Sequence, residues 1–146
     1  LHAAALDAAR VTSGTRLLDA GCGAGLLALL ASLRGAQVCA LDASPGLLAI
    51  ARRRLPSADV HEGDLEALPF DDASFDAVAA VNSVFYAADM AQAMRELARV
   101  VRSGGRVVVT AWGPPEKCEF LRAVMPRLAP LMPPPPPNAS PPHPGG

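Results

Sequence analysis

The chain lacks the features that membrane, secreted and nucleic-acid-binding proteins rely on. Its residues are 51% apolar, yet no run approaches the roughly 18 apolar residues of a membrane span. With 13 basic and 14 acidic residues the formal charge is −1, so no basic face stands out that would grip a phosphate backbone. The run Arg52-Arg53-Arg54 is short and sits where a helix should end, a place where cations suit the helix dipole. Cys22, Cys39 and Cys118 are odd in number and fit neither a disulfide framework nor a zinc spacing. No metal site is therefore read, and a reducing, cytoplasmic setting is expected. The opening LHAAALDAAR has no basic start followed by a long apolar block, so no signal peptide is expected. No internal repeat is visible.

What is present is a regular alternation. A length of 146 residues suggests one domain, with enough chain to bury a core unaided. Residues 1–10 predict a helix, broken by Thr12-Ser13-Gly14. Residues 15–20 are short and apolar and read as a buried strand. Residues 26–33 are helical and apolar nearly all round, which predicts a well-covered helix stopped at Gly35. Residues 37–41 form a second strand. Ser44-Pro45 then gives an N-cap and a first-turn proline, with Leu47, Leu48, Ala51 and Leu55 as one apolar stripe. Residues 58–61 make a third strand, and EGDLEALPFDDAS reads as a polar, turn-rich loop. Residues 75–81 are the fourth strand. From Asp89, the residues Met90, Ala93, Met94, Leu97, Val100 and Val101 recur at helical spacing, ending at Ser103-Gly104-Gly105. Residues 106–112 make the fifth strand. Near-continuous apolar strands alternating with helices predict a doubly wound α/β fold, a parallel sheet covered on both faces. Residues 116–132 could add a helix. Residues 133–146 hold eight prolines and should be extended, as a linker or interrupted loop rather than an SH3-type ligand. The division is thus a core over 1–132 and a tail over 133–146.

The stretch LLDAGCGAG, residues 17–25, follows the first strand and opens a helix. In such a sheet, ligands bind beyond the carboxyl ends of the strands. Glycines permit a tight turn and close approach, and a helix N-terminus offers free N–H groups. Asp42 closes the second strand, 21 residues after Gly21, where a carboxylate can accept from both hydroxyls of a ribose. That much fits NAD and other adenosine cofactors equally. Two details favour a different ligand. The sixth position of the dinucleotide pattern is Leu26, where close packing wants Gly or Ala. Asp19 stands before the first glycine, where it would repel two phosphates and welcome a cation. Asp64 closes the third strand, and could accept from an adenine amino group while the Leu65 N–H meets a ring nitrogen. Three acids at three neighbouring strand ends outline a site for an adenosine that carries an amino acid and no phosphate.

The ordered set LLDAGCGAG, ALDASPGLLAIARRR, EGDLEALPFDDASFDAV and LARVVRSGGRVVVTAW resembles the class I S-adenosylmethionine-dependent methyltransferases, over about residues 1–112. The small-molecule branch is the most similar. The resemblance implies a Rossmann-like sheet and S-adenosylmethionine as cofactor, with S-adenosylhomocysteine as product. It implies that Asp19 and the backbone of Ala20, Gly21, Cys22 and Gly23 face the methionine part. Asp42 would hold the ribose with Ala43 beside the adenine, Asp64 and Leu65 would read the adenine edge, and Asn82 would lie near the sulfonium. The family's core continues with two more strands, where this chain turns to proline. The expectation is therefore a truncated core with a cofactor half-site, an incomplete acceptor site, and a free fifth-strand edge that favours self-association.

Methyl transfer from a sulfonium asks mainly for alignment, so the absence of a catalytic dyad is no objection. No general base can be named. No acid cluster marks a magnesium site, and VNSVFYA lacks the Asn/Asp-Pro-Pro-aromatic motif of nucleic-acid amino methylators. A small-molecule acceptor, with no nucleic acid and no membrane, is the resulting expectation. Phe85 and Tyr86 are candidates for substrate contact. Cys22 reads as a small filler, His61 as a strand-end residue, His2 and His143 as chemically idle. A nicotinamide oxidoreductase, a non-catalytic scaffold and an interaction module working through the proline tail are the alternatives.

Overall fold

A computed structural model describes residues 1–113, 117–128 and 130. The chain divides into two compact units, Leu1–Thr110 and Ala111–Gly146. In the first, the elements run α1 (His2–Ala8), β1 (Arg16–Ala20), α2 (Leu26–Leu33), β2 (Gln37–Asp42), α3 (Pro45–Arg54), β3 (Asp59–Glu62), β4 (Phe75–Val81), a 3₁₀ turn (Val84–Tyr86), α4 (Met90–Val100) and β5 (Val101–Thr110). The second contains α5 (Glu119–Leu128). The proline-rich tail read from the sequence lies outside the described residues.

All five strands are parallel, in the order β3-β2-β1-β4-β5. The sheet is the doubly wound α/β arrangement. β1 is central, and four of its five residues, Leu17 to Ala20, are buried. Successive side chains of a strand point to opposite faces, and the packing follows suit. Leu18, Ala20, Val78 and Ala80 pack with Ala93, Leu97 and Val100 of α4 on one face. Leu17, Ala77 and Ala79 pack with Leu6 of α1 and Leu27 and Ala31 of α2 on the other. Ala40 joins Leu48 and Ala51 of α3 and Ala28 of α2.

Several helices cover less than their composition suggested. In α2, Leu27, Ala28 and Ala31 are buried, but Leu26 and Leu33 are 45% and 77% exposed. A helix lying on a sheet has one covered face whatever its outer side carries. In α4 the buried stripe is Ala93, Leu97 and Val100, leaving Met90 and Met94 exposed on its flanks. In α3, Leu48 and Ala51 are buried and Leu47 is exposed. The N-caps are as read: Ser44 Oγ accepts from Leu47 N and Asp89 Oδ1 from Gln92 N.

The fifth strand starts earlier than expected. α4 ends at Val100, and Val101 already pairs with Phe75 of β4. The next paired residue is Arg106, opposite Ala77. The intervening Ser103-Gly104-Gly105 is therefore a bulge in the strand, with Gly104 at φ +75°. The strand stops at Thr110, two residues before Trp112.

The segment between β3 and β4 is stitched to α4 by side-chain hydrogen bonds. Arg99 of α4 donates to Leu68 O (3.0 Å), Phe70 O (2.7 Å) and Asp72 Oδ1 (2.8 Å). Its guanidinium also grips both carboxylate oxygens of Glu96, at 2.8 and 2.7 Å, and Glu96 Oε2 accepts from Leu68 N at 2.9 Å. The hydrogen bond from Arg99 holds the Glu96 carboxyl below its ordinary range. Nearer the start of the segment, Glu66 Oε1 accepts from Ala88 N and Asp89 N. Arg99→Ala should therefore cost about 2 kcal/mol, the scale of losing charged hydrogen bonds to backbone carbonyls, in a urea melt. Arg95→Ala, whose ion pair with Asp89 is solvent-exposed at 3.8 Å, should be near neutral.

Candidate functional site

The loop after β1 is built from backbone. Gly21 N and Cys22 N both donate to Leu41 O, at 2.8 and 2.9 Å, clamping the loop to the end of β2. Gly21 has φ +76°, and a Cβ there would run into the Ser83 side chain. Ser83 is buried, and its hydroxyl donates to Ala20 O at 2.7 Å. The ends of β1 and β4 are thus locked at the glycine. Gly23 has φ +54° with nothing within 4 Å of its Cβ position, so its outer side is open to a ligand. Gly25, at φ +78°, serves packing: a Cβ there would press on Leu55 and Ala51 of α3.

Asp19 has a structural task. Gly25 is the N-cap of α2 and has no side chain to cap with. The Asp19 carboxylate does so from β1, accepting from Ala28 N at 3.0 Å, an otherwise orphaned first-turn donor. Asp19 is 2% exposed. Burial, opposed by that hydrogen bond and reinforced by Asp42, pushes its carboxyl up to about 7. Burial also pushes the Cys22 thiol up to about 12, with Asp19 and Asp42 adding to the effect. Such a thiol is inert as a nucleophile at neutral pH, which suits the reading of Cys22 as a filler.

The carboxyl ends of the strands enclose a cleft of about 590 Å³, within the usual range for small-molecule sites. Gly21, Cys22, Gly23, Asp42, Ala43, Asp64, Leu65 and Asn82 all line it. Of the residues singled out as cofactor contacts, Asp19 and Ala20 are not in its wall, both being buried behind the loop, and Phe85, read as a substrate contact, does not line it either. Asp42 is held on both sides: Oδ2 accepts from Gly23 N at 2.7 Å and Oδ1 from Ser44 N at 2.8 Å. Each carboxylate oxygen keeps a further lone pair for a ligand. Asp64 is exposed, with Oδ1 accepting from Glu66 N at 2.9 Å. Asn82 sits at φ +54°, in the left-handed region that asparagine tolerates best among residues with side chains. Its N–H donates to Thr110 O at 3.0 Å, and Thr110 Oγ1 lies 3.3 Å from its side-chain oxygen.

Ser44, Leu47, Gly63, Val81, Ser83 and Ala87 also line the cleft and were not singled out as ligand contacts. For Leu47 the sequence pattern pointed elsewhere, since it reads as part of the apolar stripe with Leu48 and Ala51 and only the structure shows it exposed. For Ser83 there was no signal, because its partner Ala20 is 63 residues away and only the β1–β4 pairing brings them together. Tyr86 is in the wall and 81% exposed; Phe85 packs against it with ring centroids 4.5 Å apart.

The sequence profile of the methyltransferase domain matches residues 18–109. The chain belongs to the class I S-adenosylmethionine-dependent methyltransferases. It is 39% identical over 137 residues to the demethylmenaquinone methyltransferase of Thermus thermophilus, an alignment covering 88% of this chain and 62% of that protein. Among solved structures it is similar to the YcgJ protein of Bacillus subtilis, at TM-score 0.71 and 28% identity, covering 89% of this chain and 57% of that one. It is also similar to the [4+2]-cyclase SpnF, at TM-score 0.72 and 30% identity, covering 75% and 43%. The chain thus spans less than two thirds of the length of each of these relatives.

The family implies S-adenosylmethionine as cofactor, and the cleft fits it. The open side of Gly23 leaves room for close approach, Asp42 presents free lone pairs, and acids stand at three adjacent strand ends without a basic residue among the wall residues. Phosphates would be repelled there; a ligand with ammonium and sulfonium charge would not.

Proposed function

We propose that this chain forms the cofactor-binding part of a methyltransferase acting on a small-molecule acceptor. The observation that carries the reading is the convergence of Asp42, Asp64 and the glycine loop on one cleft, with Asp19 buried directly behind it. The cofactor brings an activated methyl group on a sulfonium. The chain's own part is to bind and orient. Asp42 would take the ribose hydroxyls, held in place by Gly23 N and Ser44 N. Asp64 and the Leu65 amide would take the adenine edge. Asn82, fixed by Thr110, would stand near the methionine end, where the ionised form of Asp19 stabilises positive charge through the loop. Methyl transfer gains most from such pre-orientation. Leu47, Val81, Tyr86 and Ala87 make the remaining wall mostly apolar, which suits an acceptor with an apolar body. The name of the Thermus relative points to the same class.

The test is transfer of a labelled methyl group to a panel of small acceptors that includes demethylmenaquinone. Label in an organic-extractable product, lost in Asp42→Ala, is the expected result. The likeness to a cyclase supports a second reading, in which the cofactor is bound and the methyl stays where it is. Cofactor affinity with no transfer to any acceptor would favour it.

A further inference from the structure

On the face of the sheet opposite α3, at its β3 edge, lies a group of donors outside the cleft. Cys39 of β2 stands directly opposite Asp59 of β3 in the strand register, and His61 follows on the same face two residues later. One ligating atom from each, the Cys39 sulfur, an Asp59 oxygen and a His61 nitrogen, lies within 4.8 Å of both others. Among the described residues this is the one such group of three. The imidazole lies edge-on to Phe70, with ring centroids 5.2 Å apart.

The decisive detail is the His61–Asp59 contact. His61 Nε2 is shielded from solvent and makes no hydrogen bond, although Asp59 Oδ2 is only 2.8 Å away. The two atoms are close, but no N–H is aimed along the line between them. Nitrogen and oxygen donors that each sit about 2.0 Å from one zinc ion are themselves roughly 3 Å apart. Their lone pairs then converge on a shared point, with no hydrogen bond between them. The contact has about that spacing, and the Cys39 sulfur lies within 4.8 Å of both atoms.

The geometry points to a zinc-class divalent metal site formed by Cys39, Asp59 and His61. Three protein ligands of mixed sulfur, nitrogen and oxygen type leave a fourth tetrahedral position for water. The ion would pin the edge strand β3 to β2, one turn of chain before Gly63-Asp64-Leu65 enters the cleft. The sequence spacing gives no hint of this, because Cys39 joins the other two only through strand pairing.

Metal-stripped full chain, titrated with Co²⁺ and followed by absorption, tests the site. One equivalent should produce the visible bands of tetrahedral cobalt and a near-ultraviolet thiolate band, both removed by added Zn²⁺. Cys39→Ser should abolish the thiolate band, and Asp59→Asn and His61→Gln should each weaken Zn²⁺ binding about tenfold or more. Cys118→Ser should leave the signal intact. Should Cys39→Ser fail to fold, the Asp59 and His61 variants decide, since both side chains are at least one-third exposed. No cobalt spectrum in the parent chain, a thiolate band that survives Cys39→Ser, or full Zn²⁺ affinity in both other variants would overturn the proposal.

Discussion

Gly21→Ala is expected to abolish cofactor binding and to destabilise the chain by about 2–5 kcal/mol, the combined scale of left-handed backbone strain and overpacking. Two independent faults meet at this position. The backbone sits at φ +76°, and the added methyl collides with the Ser83 side chain, which is itself fixed by its hydrogen bond to Ala20 O. Relief of either fault alone should therefore restore only part of the loss. Ser83→Gly in the Gly21→Ala background removes the collision and leaves the strain. A double-mutant cycle in urea should show coupling of about 1 kcal/mol or more in the rescuing sense. Gly23→Ala offers the contrast. Its φ is +54° but no atom lies within 4 Å of the new methyl, so its stability loss should be about 1–2 kcal/mol, from backbone strain alone. Its methyl would nevertheless project where the ligand approaches, and binding should suffer more than stability. Equal stability losses at Gly21 and Gly23, or additivity of Gly21→Ala and Ser83→Gly, would contradict this picture of the loop.

Asp19→Asn is expected to stabilise the cofactor-free chain at pH 8 while weakening its hold on a cationic cofactor. The Asp19 carboxyl titrates at about 7 in the folded chain against an ordinary value of 3.8, chiefly because it is buried. Between those two values the folded state keeps a proton that the unfolded state has released. Stability therefore falls as pH rises from about 4 to about 7 and levels off above. Asparagine does not titrate, and its side-chain oxygen can still accept from Ala28 N. The stability advantage of the variant should thus be absent near pH 4 and grow through this window. It has a ceiling of about 4 kcal/mol, less the cost of burying a new amide N–H. Cofactor affinity should run the other way. In the parent it should fall as pH drops below about 7 and the charge is lost, levelling at about the affinity of the variant; in the variant it should be weaker and flat. Thermal melts and cofactor titrations at several pH values read both. A pH-independent stability difference, or a variant less stable than the parent at pH 8, would show that Asp19 is not a buried charge held for the ligand.

Much of this was legible because it is local. The glycine loop, the Ser44 and Asp89 caps, and the acids at successive strand ends each declare themselves within a few residues. The alternation of short apolar strands with helices then allows few folds other than a covered parallel sheet. What escaped depended on partners distant in sequence. Whether Leu26, Leu33, Met90 and Met94 are covered depends on how far each helix leans over the sheet, which apolar spacing does not record. The early start of β5 at Val101 follows from its pairing with Phe75 across a bulge, while Ser103-Gly104-Gly105 read as a helix terminator. The segment from Glu62 to Ser74 reads from sequence as a polar, turn-rich loop. Its order comes from Arg99, Glu96 and Glu66, whose contacts span 22 to 31 residues. Asp19 was legible as an acid at the right place, but not as the cap of α2, because that role appears only once Gly25 is seen to leave the helix uncapped.

The most direct test of the cleft is calorimetric titration of the full chain with S-adenosylmethionine, S-adenosylhomocysteine and NAD. One site per chain is expected for the first two and no heat for NAD. Asp42→Ala should weaken both by about 10–100-fold, the equivalent of one to two charged hydrogen bonds. Tight NAD binding without a response to S-adenosylmethionine, or unchanged affinity in Asp42→Ala, would contradict the assignment of this cleft.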